Sequence, residues 1–413
     1  MARIMVAILS FVLAFTLAPA PQAQAKTYPV VPMELFGMHY HAVGDKTVTF
    51  RVGAIRLWDS GVAWARMQPT PGAIDFTKLD RAVKHARDGG AREIQYVFGH
   101  TPLWAAADKT VPGPIGNGSS SKPKRLSDFT NFAKAVAKRY KGKITSYEMW
   151  NEASLKIYYR GTYKDLAQLV IQGSRAIKSV DPNAKVLTPS ITYGVFDRRP
   201  GFWKAFAREM RKAKWPVDAV AVHPYSKKPD YLAKRANTIK KTLKFYRKYG
   251  FKGPIWDTEV NYGDRRGLGK GWNQVVYTGD KAAGMLARTY IDSMRTGVRR
   301  VFWYGWDSHI LGIDTIDPKT KQLTSTGIAF QTLQDWMVSK SWLGCKVRKN
   351  VRSCRMVGQD GSKSTIVYAT SKTRSFKVPA GVRTYQRLSG ATVKVVPGKK
   401  IKVHQTPILL MGA

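Results

Sequence analysis

Short β-prone runs alternate with helical periodicity along most of the chain, and this alternation restricts the fold more than any other feature. Leu35 to His41, Ala54 to Trp58, Glu93 to Phe98, Ser146 to Trp150, Lys185 to Ser190, Asp218 to His223, Ile255 to Thr258 and Arg300 to Tyr304 read as eight strands. Amphipathic stretches separate all but the first two, which a loop joins. Thr77, with Asp80 three residues on, has capping-box spacing, and Leu79, Ala82, Val83 and Ala86 follow on one face before Gly89-Gly90. Ser127 is placed to cap a helix that buries Phe129, Phe132, Val136 and Tyr140. Further helices are expected over 202–213, 232–249, 280–296 and 328–338, and one carrying Leu166, Leu169, Val170 and Ile177 stops near Asp181-Pro182.

Strand–helix alternation implies parallel strands joined by crossover helices. Eight units suit a closed (β/α)8 TIM barrel better than an open sheet, and no Gly-rich phosphate loop follows the first strand. From about Gly344 the helical period vanishes. Short runs such as Thr365 to Ala369 and Ile401 to His404 lie between turn residues, which suggests a small C-terminal antiparallel β domain. The expected division is a leader over 1–25, a catalytic barrel over 26–343 and a β-sandwich-like domain over 344–413. The segment Lys26 to Pro32 is a candidate partner for the first strands of that last domain.

Residues 1–25 have the order of a secretory signal: Arg3, an apolar run from Ile4 to Leu17, then small residues at Ala23 and Ala25. That run is shorter than the ~20 residues of a membrane span. The expectation is a secreted or extracytoplasmic monomer without a membrane span. In that setting Cys345 and Cys354, the only cysteines, would pair, because the eight residues between them read as a hairpin. The formal charge of +42 points to an anionic partner or to a general surface habit. No zinc spacing or aromatic basic strand suggests a nucleic-acid partner.

Chemistry concentrates at the strand ends, which carry Arg56, His100, Glu152, His223, Glu259 and Trp303. In a barrel these ends meet over one mouth. Two carboxylates there can act as proton donor and nucleophile on a glycosidic bond, and each pushes the other's pKa. Asp257 and Glu259 share a strand face, so Asp257 is a rival carboxylate; Glu259 is favoured because it ends the strand. The chain implies no cofactor and no metal.

Trp150-Asn151-Glu152 on the fourth strand and Thr258-Glu259 on the seventh resemble the clan A retaining glycoside hydrolases, with family 39-like bacterial enzymes as the nearest type. Ile55-Arg56-Leu57-Trp58-Asp59, Thr101-Pro102-Leu103-Trp104 and Val222-His223-Pro224-Tyr225 carry the same likeness, which covers roughly residues 34–340. The resemblance implies that Glu152 is the acid/base and Glu259 the nucleophile of a glycosidase acting on a carbohydrate. It implies that Asn151 binds a sugar hydroxyl, that Arg56 and Tyr225 hold Glu259 ionised, and that His100, His223 and Trp303 line the sugar site. Ala153 stands where such relatives have proline.

Two other classes compete. His39 and His41, two apart on a strand, would face one way and could begin the ligand set of a metal-dependent amidohydrolase, with His223 and Asp307 as further ligands. A sugar-binding barrel without turnover is the other. Lys122, Lys124, Arg125, Arg198, Arg199, Lys227, Lys228, Arg265, Arg266 and Lys270 fall in loops after strands and suggest an anionic glycan.

Overall fold

A computed structural model of the chain describes residues 27–192, 199–225, 231–265 and 274–412. The expected leader therefore lies outside the described residues. Nine parallel segments form one curled sheet: β1 (Phe36–His39), β2 (Ala54–Leu57), β3 (Glu93–Val97), β4 (Ser146–Glu148), β5 (Lys185–Leu187), β6 (Ile191–Thr192), β7 (Val220–His223), β8 (Ile255–Val260) and β9 (Val301–Trp303). Their order is β5-β4-β3-β2-β1-β9-β8-β7-β6. The sheet meets itself where Asp218 N donates to Val186 O (2.7 Å) and Thr188 N to Ala219 O (3.1 Å). Segments β5 and β6 thus act as one interrupted strand, and the ring has the eight strands of a TIM barrel.

Helices wrap the ring: α1 (Trp64–Met67), α2 (Thr77–Asp88), α3 (Leu126–Arg139), α4 (Tyr163–Lys178), α5 (Pro200–Lys212), α6 (Tyr231–Lys248), α7 (Gly279–Thr296) and α8 (Ser325–Met337). The apolar faces expected for α2, α3 and α4 are the buried ones. The caps differ from expectation. Asp75, not Thr77, accepts from the Thr77 amide, and Asp80 is taken by Arg139. Arg125 occupies the N-cap of α3 and pairs with Asp128, so Ser127 caps nothing. The real capping box is Thr162 with Asp165 on α4. That helix lies tight on the strand end below the mouth: a Cβ on Gly173 would come within 2.2 Å of Met149 Cε.

The remaining strands are antiparallel. A sheet ordered β10-β11-β12-β17-β14-β15 comprises β10 (Ser341–Arg348), β11 (Val351–Val357), β12 (Lys363–Ala369), β14 (Thr384–Arg387), β15 (Thr392–Lys394) and β17 (Ile408–Met411). It packs with the pair β13 (Arg374–Lys377) and β16 (Lys400–Val403) around Val351, Val367, Val378, Val403 and Leu410. Cys345 and Cys354 face each other across the β10–β11 hairpin and are bonded. Val30 bridges Ser341, so the start of the described chain does adjoin the first strand of this sheet.

Candidate functional site

Strand alternation divides the barrel residues into two sets. Ala54, Ala221, Trp256 and Phe302 point inward and fill the lower interior. One or two steps nearer the mouth, His39, Arg56, Glu148 and His223 also point inward, and all are fully buried. A buried guanidinium needs compensating charge and acceptors. Arg56 has both: Nη2 and Nε reach the two oxygens of Glu148 at 2.9 and 3.1 Å, Nη2 also reaches Asn151 Oδ1 at 2.9 Å, and Nη1 reaches Glu259 Oε2 at 3.1 Å.

Glu259 reaches this cluster through an irregularity. The pairing of β8 with β9 shifts register between Asp257 and Val260. A bulge of this kind re-aims side chains. Asp257 faces outward, fully buried, and binds Arg235 of α6 at 2.5 Å. Thr258 stays inside, its hydroxyl 3.1 Å from His223 Nε2. Glu259 turns to the mouth, where the Tyr225 hydroxyl donates to Oε1 at 2.8 Å. The expectation that Asp257 and Glu259 share a face is corrected by this shift, and the rival carboxylate is removed from the mouth.

Glu152 follows β4 on a strained segment. Trp150 has φ 109° and Glu152 φ 42°, left-handed values that non-glycine residues adopt only when their surroundings hold them. Ser190 Oγ accepts from the Glu152 amide at 2.9 Å, and the Trp150 indole donates to Tyr158 O at 2.9 Å. Glu152 Oε1 lies 2.8 Å from His223 Nδ1. One oxygen of Glu152, one of Glu259 and a nitrogen of His223 all lie within 4.8 Å of one another.

The two acids have different neighbours. Burial drives the Glu152 carboxyl well above the ordinary range, and the nearby Glu259 charge adds to the effect. Burial also raises Glu259, to about 7, but the Arg56 charge and the Tyr225 hydrogen bond oppose it directly. The proton therefore leaves Glu259 first and stays longer on Glu152. Burial, then the Arg56 charge, pushes His223 well below its usual value, so this imidazole is neutral and links Glu152 to Thr258 without adding charge.

The other expected residues divide. His100 is buried at the mouth, stacks on Trp58 with 4.8 Å between ring centroids, and is pushed down to about 4 by burial and then by Arg66. Trp303 points outward against Tyr262 and is wholly buried, so it cannot line a sugar site. The next residue, Tyr304, takes that place: its hydroxyl donates to Asp59 at 2.8 Å and its ring meets His39. Trp104 and Trp306 are packing residues, against Trp64 and Phe50 respectively. Sequence reasoning missed Glu148, Ser190 and Tyr304. All three needed the fold, which brings Glu148 to Arg56, Ser190 to the Glu152 amide and Tyr304 to Asp59.

The amidohydrolase ligand set does not assemble. Strand β1 ends at His39, and His41 begins a 3-10 turn (His41–Gly44), so the two side chains do not share a strand face. His39 Nε2 is held by Thr258 O at 3.1 Å and Arg56 at 3.3 Å. Asp307 is used by the amides of His41 and Ala42. Among the described residues, only Glu152, His223 and Glu259 converge closely enough to ligate a cation. There the Arg56 guanidinium and the Tyr225 hydroxyl already point positive hydrogens at Glu259, so a cation would meet a buried positive charge.

Of the basic loop residues, Lys122 pairs with Asp165, Arg125 with Asp128 and Arg265 with Asp314, and Arg199 lies over the Phe202 ring. Arg198, Lys227, Lys228, Arg266 and Lys270 lie outside the described residues.

Comparison with known proteins gives a consistent picture. Residues 58–260 match the profile of glycosyl hydrolase family 10. Endo-1,4-beta-xylanase B of Thermotoga neapolitana is 21% identical over 207 residues, which is 48% of this chain and 56% of that enzyme. The chain thus spans about half the length of this curated relative. Among solved structures, a family 39 glycoside hydrolase from Bacteroides cellulosilyticus WH2 is similar with TM-score 0.68 at 18% identity, over 92% of this chain and 81% of the other. A monomeric beta-xylosidase from Caulobacter crescentus CB15 gives 0.66 at 13% identity, over 94% and 97%. A GH30 endoxylanase from Clostridium papyrosolvens C71 gives 0.63 at 14%, over 94% and 97%. The fold is therefore one shared with clan A glycoside hydrolases of more than one family.

Proposed function

We propose that this protein is a retaining glycosidase that cleaves O-glycosidic bonds of a poly- or oligosaccharide by double displacement. The observation that carries this reading is the approach of Glu152 and Glu259 to within 4.8 Å at one barrel mouth. Retaining pairs lie ~5 Å apart, whereas inverting pairs stand ~6.5–9.5 Å apart to admit a water. Glu259 attacks the anomeric carbon while Glu152 gives its proton to the departing glycosidic oxygen. Water then adds to the same carbon, Glu152 takes a proton from it, and Glu259 is released as carboxylate.

The surroundings support these roles. Arg56 and Tyr225 favour the charged form of Glu259 and aim it. Asn151 Oδ1 accepts from Arg56 Nη2, which leaves the amide N–H groups to donate to a sugar hydroxyl beside the reacting carbon. His223 fixes Glu152 without neutralising it. Trp58, His100 and Tyr304 supply the wall. A non-catalytic sugar binder has no use for a proton held on one acid beside a carboxylate fixed by a buried arginine.

A family 39-like enzyme is supported by the strand-end motifs and by the likeness to the Bacteroides cellulosilyticus WH2 structure. An anionic glycan as substrate is supported by Arg66 and Lys78 in a cavity of about 470 Å³ that also touches Trp58, Asp59 and His100. Secretion is supported by the Cys345–Cys354 bond.

Azide rescue tests the role assignment. With an activated aryl glycoside, azide should revive Glu152→Ala to give a glycosyl azide of retained configuration. It should revive Glu259→Ala to give the inverted azide. Rescue of neither, or the same azide from both, refutes the assignment.

A further inference from the structure

Away from the mouth, α6 and α7 meet strands β11 and β12 around a cavity of about 410 Å³. Its wall carries Lys240, Lys281, Arg288, Arg295 and Arg352, with Asp292 as the one carboxylate. Asp292 Oδ1 is already shared: Arg352 Nη1 lies at 2.8 Å, Arg295 Nε at 3.1 Å and the Tyr368 hydroxyl at 3.3 Å. Among the described residues, Lys240, Lys281 and Arg288 make no ion pair at all. Arg288 is partly buried, lines the cavity and gives Nε to the Gly284 carbonyl at 3.2 Å. Arg352 Nε is buried and has no partner.

Arg288, Arg295 and Arg352 are half-buried around one carboxylate, and gathering like charges there is costly unless something else compensates them. Guanidinium forks match carboxylate and phosphate oxygens in shape as well as charge. Three of the cations come from α7 (Lys281, Arg288 and Arg295), one from α6 (Lys240) and one from β11 (Arg352), so the site is held by packed elements rather than by a flexible tail. We infer that this cavity is a second binding site, distinct from the catalytic mouth, for the carboxylate or phosphate groups of an anionic polymer. It would hold polymer against the outside of the barrel whether or not the mouth accepts the same chain.

Binding is measured by affinity electrophoresis on the Glu152→Gln background at roughly 0.15 M salt, where long-range attraction is screened. The probes are polygalacturonate, poly(glycerol phosphate) and neutral dextran. The double variant Lys240→Gln/Lys281→Gln changes exposed side chains and should fold normally; Arg288→Gln is the more severe companion. Either double or single change should weaken binding of at least one anionic polymer roughly tenfold, the worth of one or two charge-assisted hydrogen bonds. The polymer affected identifies carboxylate or phosphate as the ligand. A control, Lys400→Gln/Lys402→Gln, removes equal charge from β16 and should change binding by about twofold or less. Equal losses in test and control would reduce the effect to overall charge and overturn the site, as would failure of both anionic polymers to bind. Hydrolysis of a small aryl glycoside by Lys240→Gln/Lys281→Gln in an otherwise unchanged chain should stay at its original rate. The binding assay needs no turnover, so this inference and the glycosidase reading fail separately.

Discussion

Asp257 and Glu259 are two residues apart, yet they face opposite sides of the barrel wall. Asp257 is locked outside on Arg235 at 2.5 Å, and Glu259 is turned inside onto Arg56 at 3.1 Å. The register shift between them makes the difference. Asp257→Asn should therefore leave kcat near its original value while lowering stability, because breaking a buried pair costs about 3–5 kcal/mol. Glu259→Gln should abolish turnover with a smaller loss of stability, because Arg56 keeps its pair with Glu148. Steady-state kinetics with thermal melts on both variants checks this, and an inactive but stable Asp257→Asn protein would reverse the assignment.

Glu152→Gln should lower kcat by about 10²–10⁴-fold on substrates with poor leaving groups, the usual worth of a general acid. The loss should shrink for leaving groups that depart without a proton. A leaving-group series reports this; an equal loss across the series would remove Glu152 from the acid role.

The pH profile follows from the order of the two acids. Activity should rise as Glu259 loses its proton, near pH 7, and fall again as Glu152 loses its own at higher pH. Tyr225→Phe removes a donor that favours charged Glu259. Its acid limb should therefore move to higher pH while the alkaline limb stays. Movement of the alkaline limb instead would mean that the roles are exchanged.

The same burial has a stability consequence of opposite sign from an ordinary salt-bridged carboxylate. The Glu152 pKa is higher folded than unfolded, so its contribution is fully present below the unfolded pKa and is lost as pH rises through the folded value. Glu152→Gln should thus be more stable than the parent at about pH 8 and gain less at about pH 4. Melting curves at both pH values decide it; a constant difference would show that the carboxyl titrates normally.

Reduction of Cys345–Cys354, or the double serine variant, should cost about 2–3 kcal/mol from the short loop it closes. The kcat should not change, since the bond lies on the β10–β11 hairpin rather than at the mouth.

Much of this structure was legible beforehand because it follows from periodicity. The eight strands, the helices after them and the antiparallel tail are patterns of apolar spacing, and Glu152 and Glu259 stood out as acids at the ends of apolar runs. The errors came from interactions that periodicity does not encode. Thr77 and Ser127 had capping chemistry, but Asp75 and Arg125 took the positions. Trp303 was expected at the sugar site from the resemblance, whereas alternation on β9 aims Phe302 inward, Trp303 outward and Tyr304 back to the mouth. The His39–His41 pair dissolved because the strand ends between them. Glu148 stayed hidden because its partner, Arg56, is 92 residues away.

Proton NMR of the first sugar released from a natural linkage reports the configuration at the attacked carbon before mutarotation blurs it. Two successive displacements, with Glu259 and Glu152 as close as they stand here, require the product to keep the anomeric configuration of the substrate. A first-formed product of opposite configuration would mean a single displacement by water, which this pair of carboxylates is too close to accommodate.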